Sequence, residues 1–171
     1  MGAAQWLVLA MVLLRLAELA YANRNARRLL ARGGQEVGAG HYPLLVVLHA
    51  AWLGAIFLVV PADTPPSLPL GLLFVTLLGA RAWTLWSLGP YWTTRVITLP
   101  EAPLVRRGPY RYLRHPNYVV VAGEIAVLPL MFGAWRLALL FSVLNAALLW
   151  HRIRVEDQAL APRRRRTACG S

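Results

Sequence analysis

The stretch from Leu44 to Val60 reads LLVVLHAAWLGAIFLVV and contains no aspartate, glutamate, lysine or arginine. An α-helix of about 17 to 25 such residues can cross the hydrocarbon core of a bilayer. Four further apolar segments lie at 4–22, 69–89, 118–133 and 135–151. The sequence therefore predicts an all-α, polytopic integral membrane protein with about five transmembrane helices.

The last two apolar segments are short and are separated by little more than Gly133. They predict a tight C-terminal helical hairpin, and whether both helices cross the whole membrane stays open. A single kinked helix is the alternative, because Pro129 removes one backbone donor. We treat 1–171 as one domain, with three transmembrane helices in 1–89, a polar region and the hairpin in 90–160, and a basic tail in 161–171.

The composition separates this chain from soluble proteins. It is 58% hydrophobic and 15% charged, and its net charge of +11 comes from arginine alone. A nucleic-acid-binding module would carry its arginines on a polar face rather than between long apolar runs. We therefore expect membrane lipids, and no nucleic acid, as surroundings and partners.

The arginines are distributed unevenly between the connecting segments. They follow the first, third and fifth apolar segments, whereas the other two connections are nearly free of them, and the residues concerned are Arg24, Arg27, Arg28, Arg32, Arg95, Arg106, Arg107, Arg111, Arg114, Arg152, Arg154 and Arg163 to Arg166. Basic residues collect on the cytoplasmic side of membrane proteins. This pattern predicts an N-terminus outside, a C-terminus in the cytoplasm, and a location in the bacterial inner membrane.

The stretch from 104 to 118, LVRRGPYRYLRHPNY, is polar and aromatic and directly precedes an apolar segment. Its glycine–proline pair at 108–109 indicates a turn, and Pro116 suits the first turn of the following helix. His115 and Tyr118 then face the same way at a helix start, where free N–H groups can receive an anion. The stretch is either an entry loop for a ligand or a belt of aromatic and basic residues at the headgroups.

Charged residues recur at helical spacing in two other places. Arg152 and Glu156 are four positions apart on a predicted helical continuation, so they share a face as a surface ion pair or as a site for a cationic ligand. Arg15 and Glu18 lie within the first apolar segment. Ionisable groups inside a membrane usually face protein or a cavity, so this pair either lines a functional site or bridges packed helices.

Two anchored blocks carry a family resemblance. The phrases Gly108–Tyr110 and Arg114–Tyr118, the apolar hairpin, and then Arg152 with Glu156–Asp157 resemble the C-terminal signature of the isoprenylcysteine carboxyl methyltransferase family and related membrane methyltransferases. The resemblance covers about residues 90–160. It implies a transferase that uses S-adenosyl-L-methionine as its cofactor and that needs no metal.

The resemblance also implies site residues. Those expected to bind the cofactor, with Glu156 near its amino group, are Arg95, Leu104, Val105, Tyr110, His115, Pro116, Asn117, Tyr118 and Glu156. Arg152 is expected to be the catalytic residue and to lie toward the substrate. Arg95 stands where some relatives carry glutamine, and Ala102 and Pro103 stand where others carry polar residues.

A weaker likeness in the first half involves Arg15 with Glu18, Asn23–Asn25, Glu36, Gly38, His41–Pro43 and His49. It resembles a bacterial branch that acts beside type III polyketide synthases and O-methylates alkylpyrones or alkylresorcinols. The hydroxyl of such a lipophilic polyketide, drawn from the bilayer, is therefore the first expected methyl acceptor. A prenylcysteine carboxylate and a phospholipid amine are the alternatives.

In the expected reaction, a nucleophilic oxygen displaces the methyl group of the sulfonium in line, and the protein positions the reactants and excludes water. Arg152 would orient the oxygen as an anion. For an acceptor of high pKa, His115 and His151 are the candidate general bases. A non-catalytic membrane scaffold or transporter subunit, whose arginines only determine topology, is the alternative from another class.

Overall fold

The structure is a computed structural model. It describes residues 1–38, 40, 42–99 and 105–169, with side chains up to residue 159 and at residue 161. Five α-helices follow one another: α1 (Ala3–Ala31), α2 (Tyr42–Val59), α3 (Leu68–Leu88), α4 (Pro116–Met131) and α5 (Trp135–Cys169). Each of the five predicted apolar segments corresponds to one of them. The helical membrane fold is thereby confirmed.

Four of these helices are long and apolar enough to cross a membrane, at Ala3–Ala31, Tyr42–Val59, Leu68–Tyr91 and Trp135–Ala159. The fourth helix in the chain, α4, has 16 residues. It is about 24 Å long at 1.5 Å per residue, less than the hydrocarbon thickness of about 30 Å. Among the described helices, four therefore have the length and composition of a membrane span, and α4 is a shorter apolar helix beside them.

Helix α1 extends nine residues beyond the apolar segment that predicts it. In this extension Arg24, Arg27 and Arg28 are exposed, whereas Asn25 and Leu29 are buried with other residues of the opposite face. A helix that leaves the hydrocarbon core needs one protected face only, so arginines do not end it. Helix α1 is for this reason longer than the apolar segment of residues 4–22 that predicts it.

The C-terminal hairpin is confirmed over the kinked helix. Gly133 adopts φ +71° between α4 and α5, a left-handed conformation that favours glycine and reverses the chain. The two helices then pack along each other. Helix α5 continues to Cys169, which confirms the predicted helical continuation through Arg152 and Glu156, and residues 161–169 of the predicted tail are also helical.

The purely α-helical prediction was wrong in one detail. Strand β1 (Gln35–Val37) pairs antiparallel with strand β2 (Val96–Thr98), and Glu36 stands opposite Ile97. Strands of three residues are too short to show an alternating pattern in sequence. The pairing joins the segment after α1 to the segment after α3, at the end of the bundle where α4 begins.

The apolar core lies at the opposite end of the bundle. Its buried side chains come from all five helices, and the most deeply buried include Met11, Trp52, Ile56, Ile125 and Leu128. Much of the remaining apolar surface of the spans is exposed, as expected where helices face lipid.

Candidate active site

A cavity of about 480 Å³ opens at the end of the bundle that carries the two strands. Its wall combines the last turns of α1 and α3, strand β2, the segment before α4, the start of α4 and the middle of α5. Cavities of about 300 to 1,000 Å³ are typical of small-molecule sites. The bundle therefore places one ligand-sized space where the polar segments converge.

One end of this cavity is polar and is organised around the hydroxyl of Tyr118. Arg152 Nε donates to that hydroxyl at 2.8 Å, and the hydroxyl in turn donates to Oε2 of Glu156. Arg152 Nη2 also donates to the carbonyl of Thr94 at 2.6 Å, and the arginine is 8% exposed. Arg152 and Glu156 thus share a tyrosine across the α4–α5 interface, an arrangement unlike that of a plain surface pair.

His115, directly before α4, stacks on Tyr118 with ring centroids 5.3 Å apart and an interplanar angle of 15°. This confirms that the two side chains share a face. His115 Nε2 lies 3.1 Å from Oδ1 of Asp157, and its Nδ1 lies 3.7 Å from Oε1 of Glu156. Because each ring nitrogen faces a carboxylate, the imidazole ties α4 to α5 and is poorly placed as a general base.

Another part of the cavity wall is apolar, and Leu29 and Leu99 pack there with Tyr91 and Ile97. Leu88, at the end of α3, and Trp92 also line the cavity. Asn25 Nδ2 donates to the carbonyls of Gly89 and Trp92 at 3.2 and 2.9 Å, and the ring of Tyr21 stacks on Trp92. Helix α1 therefore holds this apolar wall in place.

Basic side chains outnumber acidic ones around the cavity. Arg95, Arg106 and Arg114 join Arg152 in the wall, against the carboxylate of Glu156. Arg95 Nη1 lies 3.2 Å from Oε2 of Glu36, and its guanidinium lies 5.5 Å from the ring centroid of Tyr42. Even with these partners the cavity keeps a positive surplus, which favours a ligand carrying an anionic group.

The turn at 108–111 is anchored to α3. Gly108 has φ +57°, and a Cβ there would lie 2.1 Å from Oγ of Ser87. Arg107 Nε donates to the carbonyl of Ser87 at 2.7 Å. The close approach explains why a glycine is needed at this position, and it brings Tyr110 to the cavity.

Burial raises the pKa of the Tyr110 phenol above its ordinary value, and the nearby charge of Glu156 raises the pKa further. Tyr110 is therefore a neutral hydrogen-bonding group near neutral pH.

The structure brings most of the predicted site residues to this one cavity. Those in its wall are Arg95, Val105, Tyr110, His115, Asn117, Tyr118, Arg152 and Glu156. Pro116 is buried in the first turn of α4 and is not among the described residues of the wall. Leu104, with Ala102 and Pro103, lies outside the described residues. His151 is exposed on α5 and is not among the described residues of the wall, which weakens its candidacy as a base.

Several wall residues were missed in the sequence. Leu29 and Trp92 lie in segments without a motif, and the contribution of Thr94 is a backbone carbonyl. An aromatic residue just after a span is a weak sign of a membrane interface, so Tyr91 and Trp92 had a usable signal. Asp157 adjoins Glu156 in the motif, but its approach to His115 depends on how α4 and α5 pack.

A helical membrane bundle with an amphipathic cavity at one end is the class that fold and site define. The model of the isoprenylcysteine carboxyl methyltransferase (ICMT) family matches residues 70–162, more than half of the chain. The chain belongs to this family, whose members are membrane methyltransferases.

Two relatives match nearly the whole chain. The uncharacterized protein YpbQ of Bacillus subtilis (strain 168) is 39% identical over 160 residues, which cover 91% of this chain and 95% of YpbQ. An uncharacterized protein of Haemophilus influenzae is 25% identical over 154 residues, covering 86% and 89% of the two chains. No solved structure matches the chain. Neither relative's name points to a polyketide-linked branch.

Proposed function

We propose that the protein is an S-adenosyl-L-methionine-dependent O-methyltransferase acting on an acidic oxygen of a lipophilic acceptor. The observation that carries this proposal is the hydrogen-bonded series Arg152–Tyr118–Glu156 at the polar end of a cavity whose other end is apolar. A charged cofactor requires polar surroundings, and the alkyl or prenyl chain of an acceptor requires apolar ones. Family membership supplies the reaction class.

The residues present fit the proposed cofactor. S-adenosyl-L-methionine carries an amino group, a carboxylate, a sulfonium and an adenine nucleoside, and the wall offers the Glu156 carboxylate, several guanidinium groups and aromatic rings. Asn117 Oδ1 and Arg95 Nε are buried and have no hydrogen-bond partner among the described residues. Buried polar atoms normally find a partner, so these two suit a ligand.

The residues proposed to hold the cofactor are Arg95, Leu104, Val105, Tyr110, His115, Asn117, Tyr118 and Glu156. When bound, the cofactor supplies an electrophilic methyl group on its sulfonium. Glu156 would bind the amino group, and the neutral Tyr110 phenol would contribute a hydrogen bond.

Arg152 is proposed to bind the acceptor oxygen and hold it as an anion. Its guanidinium is oriented in advance by Thr94 and Tyr118, so little reorganisation is needed when charge is bound. Since His115 faces two carboxylates, an acceptor that arrives already ionised suits this site best. A prenylcysteine carboxylate meets this condition directly, and an acidic hydroxypyrone meets it more readily than a resorcinol. The likeness in the first half of the chain keeps the hydroxyl of an alkylpyrone or alkylresorcinol as our first choice and the carboxylate as the second. A phospholipid amine, disfavoured by the arginines, is the third.

We further propose that the cavity lies at the cytoplasmic end of the bundle in the bacterial inner membrane, as the positions of the arginines favour. The chain of the acceptor would enter from the bilayer along the apolar end near Leu29 and Trp92. The cofactor would enter through the arginine-rich segments.

Calorimetric titration of the purified protein with S-adenosyl-L-methionine tests the first step. Wild type and the exposed control Asp63→Asn should bind the cofactor with the same affinity. The affinity of Glu156→Gln should be lower by about tenfold or more, because this variant loses one charge-assisted contact. Radiolabelled methyl transfer to each of the three lipid classes then identifies the acceptor. A wild type without cofactor binding would leave the scaffold or transporter alternative standing, and equal binding by Glu156→Gln would overturn the proposed role of Glu156.

A further inference from the structure

Four ionisable side chains form a closed ring inside the bundle. Glu18 accepts from Arg15 Nη1 at 2.6 Å and from Arg81 Nε and Nη2 at 2.8 and 2.7 Å. Glu124 accepts from Arg15 Nη2 at 3.1 Å and from Arg81 Nη1 at 3.3 Å. Two arginines and two glutamates thus alternate around the ring and cancel in charge.

The ring occupies a fixed level between the cavity and the apolar core. On α1, α3 and α4, the residues seven positions closer to the cavity than Glu18, Arg81 and Glu124 are Asn25, Leu88 and Asn117, respectively. Asn25 holds the cavity wall, and Leu88 and Asn117 are part of it. Seven positions the other way lie the buried side chains of Met11, Phe74 and Met131. Seven residues of helix span about 10 Å, so on each of the three helices the ring sits about two turns from the cavity.

The ring also joins α1 to two helices whose backbones have few close contacts with it. Helix α3 packs along α4, whereas the main backbone neighbours of α1 are α2, the turn after α3 and β2. Arg15 and Glu18 reach from α1 to both α3 and α4 through their side chains. Charged groups are costly in a membrane, and a buried ionic network often adds less stability than apolar packing would, although such groups can specify helix register.

We infer that this ring is a positioning element of the cavity. It holds α1 at one rotation and one axial register against α3 and α4, which places Asn25 on the carbonyls of Gly89 and Trp92 and places Leu29 in the wall. Apolar packing alone would let α1 slide or turn in lipid, because the hydrocarbon is as apolar as the helix faces. The width of the cavity therefore depends on the ring rather than on the core below it.

Electron-spin distance measurements in lipid nanodiscs test this inference without any ligand, so their outcome does not depend on the proposed methyl transfer. In a Cys169→Ser background, labels on cysteines at the exposed positions Leu30 and Trp86 report the separation of α1 from α3. A second pair at Val119 and Trp150 reports the separation of α4 from α5 and serves as the control.

The main variant replaces the ring by apolar residues: Arg15→Met, Glu18→Leu, Arg81→Met and Glu124→Leu. We expect it to keep its helicity and its cooperative thermal unfolding, while the α1–α3 distance distribution broadens about twofold or more and the control pair is unchanged. The charge-reversed ring should restore the narrow distribution, and its changes are Arg15→Glu, Glu18→Arg, Arg81→Glu and Glu124→Arg. A wild-type distribution in the folded apolar variant would overturn the inference.

If the apolar variant does not fold, Glu18→Gln decides. It removes the carboxylate that joins α1 to Arg81 of α3 without changing the side-chain volume, and it leaves the Arg15–Glu124 and Arg81–Glu124 contacts possible. A broadened α1–α3 distribution would support the positioning role, and an unchanged one would overturn it.

Discussion

Arg152 Nε on α5 donates a 2.8 Å hydrogen bond to the hydroxyl of Tyr118 on α4. The same hydroxyl contacts Glu156, so one phenol connects the arginine proposed to bind the acceptor with the carboxylate proposed to bind the cofactor. The position of Tyr118 is therefore fixed by both groups, and each of them is oriented by Tyr118.

Removing this hydroxyl in Tyr118→Phe should uncouple the two proposed binding groups. We expect methyl transfer to slow by about 10- to 100-fold, because Arg152 loses a fixed orientation, with a smaller change in cofactor affinity. Single-turnover transfer of a radiolabelled methyl group measures the rate, and calorimetry measures the affinity. Tyr112→Phe, at an exposed tyrosine, is the matched control, and equal rates for both variants would contradict the role of Tyr118.

The raised pKa of Tyr110 predicts a pH dependence of stability. The folded protein disfavours the ionised phenol, so above the ordinary pKa of about 10 the folded state binds more protons than the unfolded state. The stability contribution of the neutral phenol is complete below that pH and is lost as pH rises toward the folded pKa. Between pH 8 and about 11, the midpoint temperature of thermal unfolding should therefore fall more steeply for wild type than for Tyr110→Phe. Parallel curves would show that Tyr110 ionises normally.

Gly108→Ala should disturb the turn that carries Tyr110. The new Cβ would meet Oγ of Ser87 at 2.1 Å and would sit at a positive φ, so we expect a loss of about 1–3 kcal/mol in the free energy of unfolding. Gly133→Ala is the matched control, since Gly133 also has positive φ but a Cβ added there would meet no heavy atom within 4 Å. The free energy of unfolding of Gly133→Ala should fall only by the cost of the strained backbone conformation.

Adding Ser87→Gly to Gly108→Ala separates the collision from the strain. The double variant should recover the part of the loss caused by Oγ of Ser87, as measured by chemical denaturation in detergent. No recovery would mean that the backbone conformation of Gly108 alone determines the effect.

Asn25→Leu should loosen the apolar wall of the cavity. The change leaves the carbonyls of Gly89 and Trp92 without the amide that binds both, at a cost of about 1–3 kcal/mol. We expect hydrogen exchange at residues 89–93 to rise while exchange in α4 stays as in wild type. Asn23→Leu, on a less buried face of the same helix, is the control. Unchanged exchange after Asn25→Leu would show that other contacts hold the wall.

The sequence predicted the residues of the polar part of the site better than it predicted the contacts between distant segments that complete the cavity. Tyr110, His115, Tyr118, Arg152 and Glu156 were named from two motifs, and all five lie around one cavity. The motifs are informative because a turn, a helix start and a four-residue helical spacing are local features. The β1–β2 pairing and the apolar wall at Trp92 were missed, since they depend on segments more than fifty positions apart.

The sequence by itself determined where the helices lie, that they belong in a membrane, and which segments are polar. Backbone groups in lipid must be satisfied within a helix, so the lengths of the apolar runs decide the spans. Only the tertiary structure decided which helix faces meet, and hence that Arg81 and Glu124 complete the ring begun by Arg15 and Glu18. Lipid is as apolar as a helix interface, so hydrophobicity along these helices does not mark the face that turns inward.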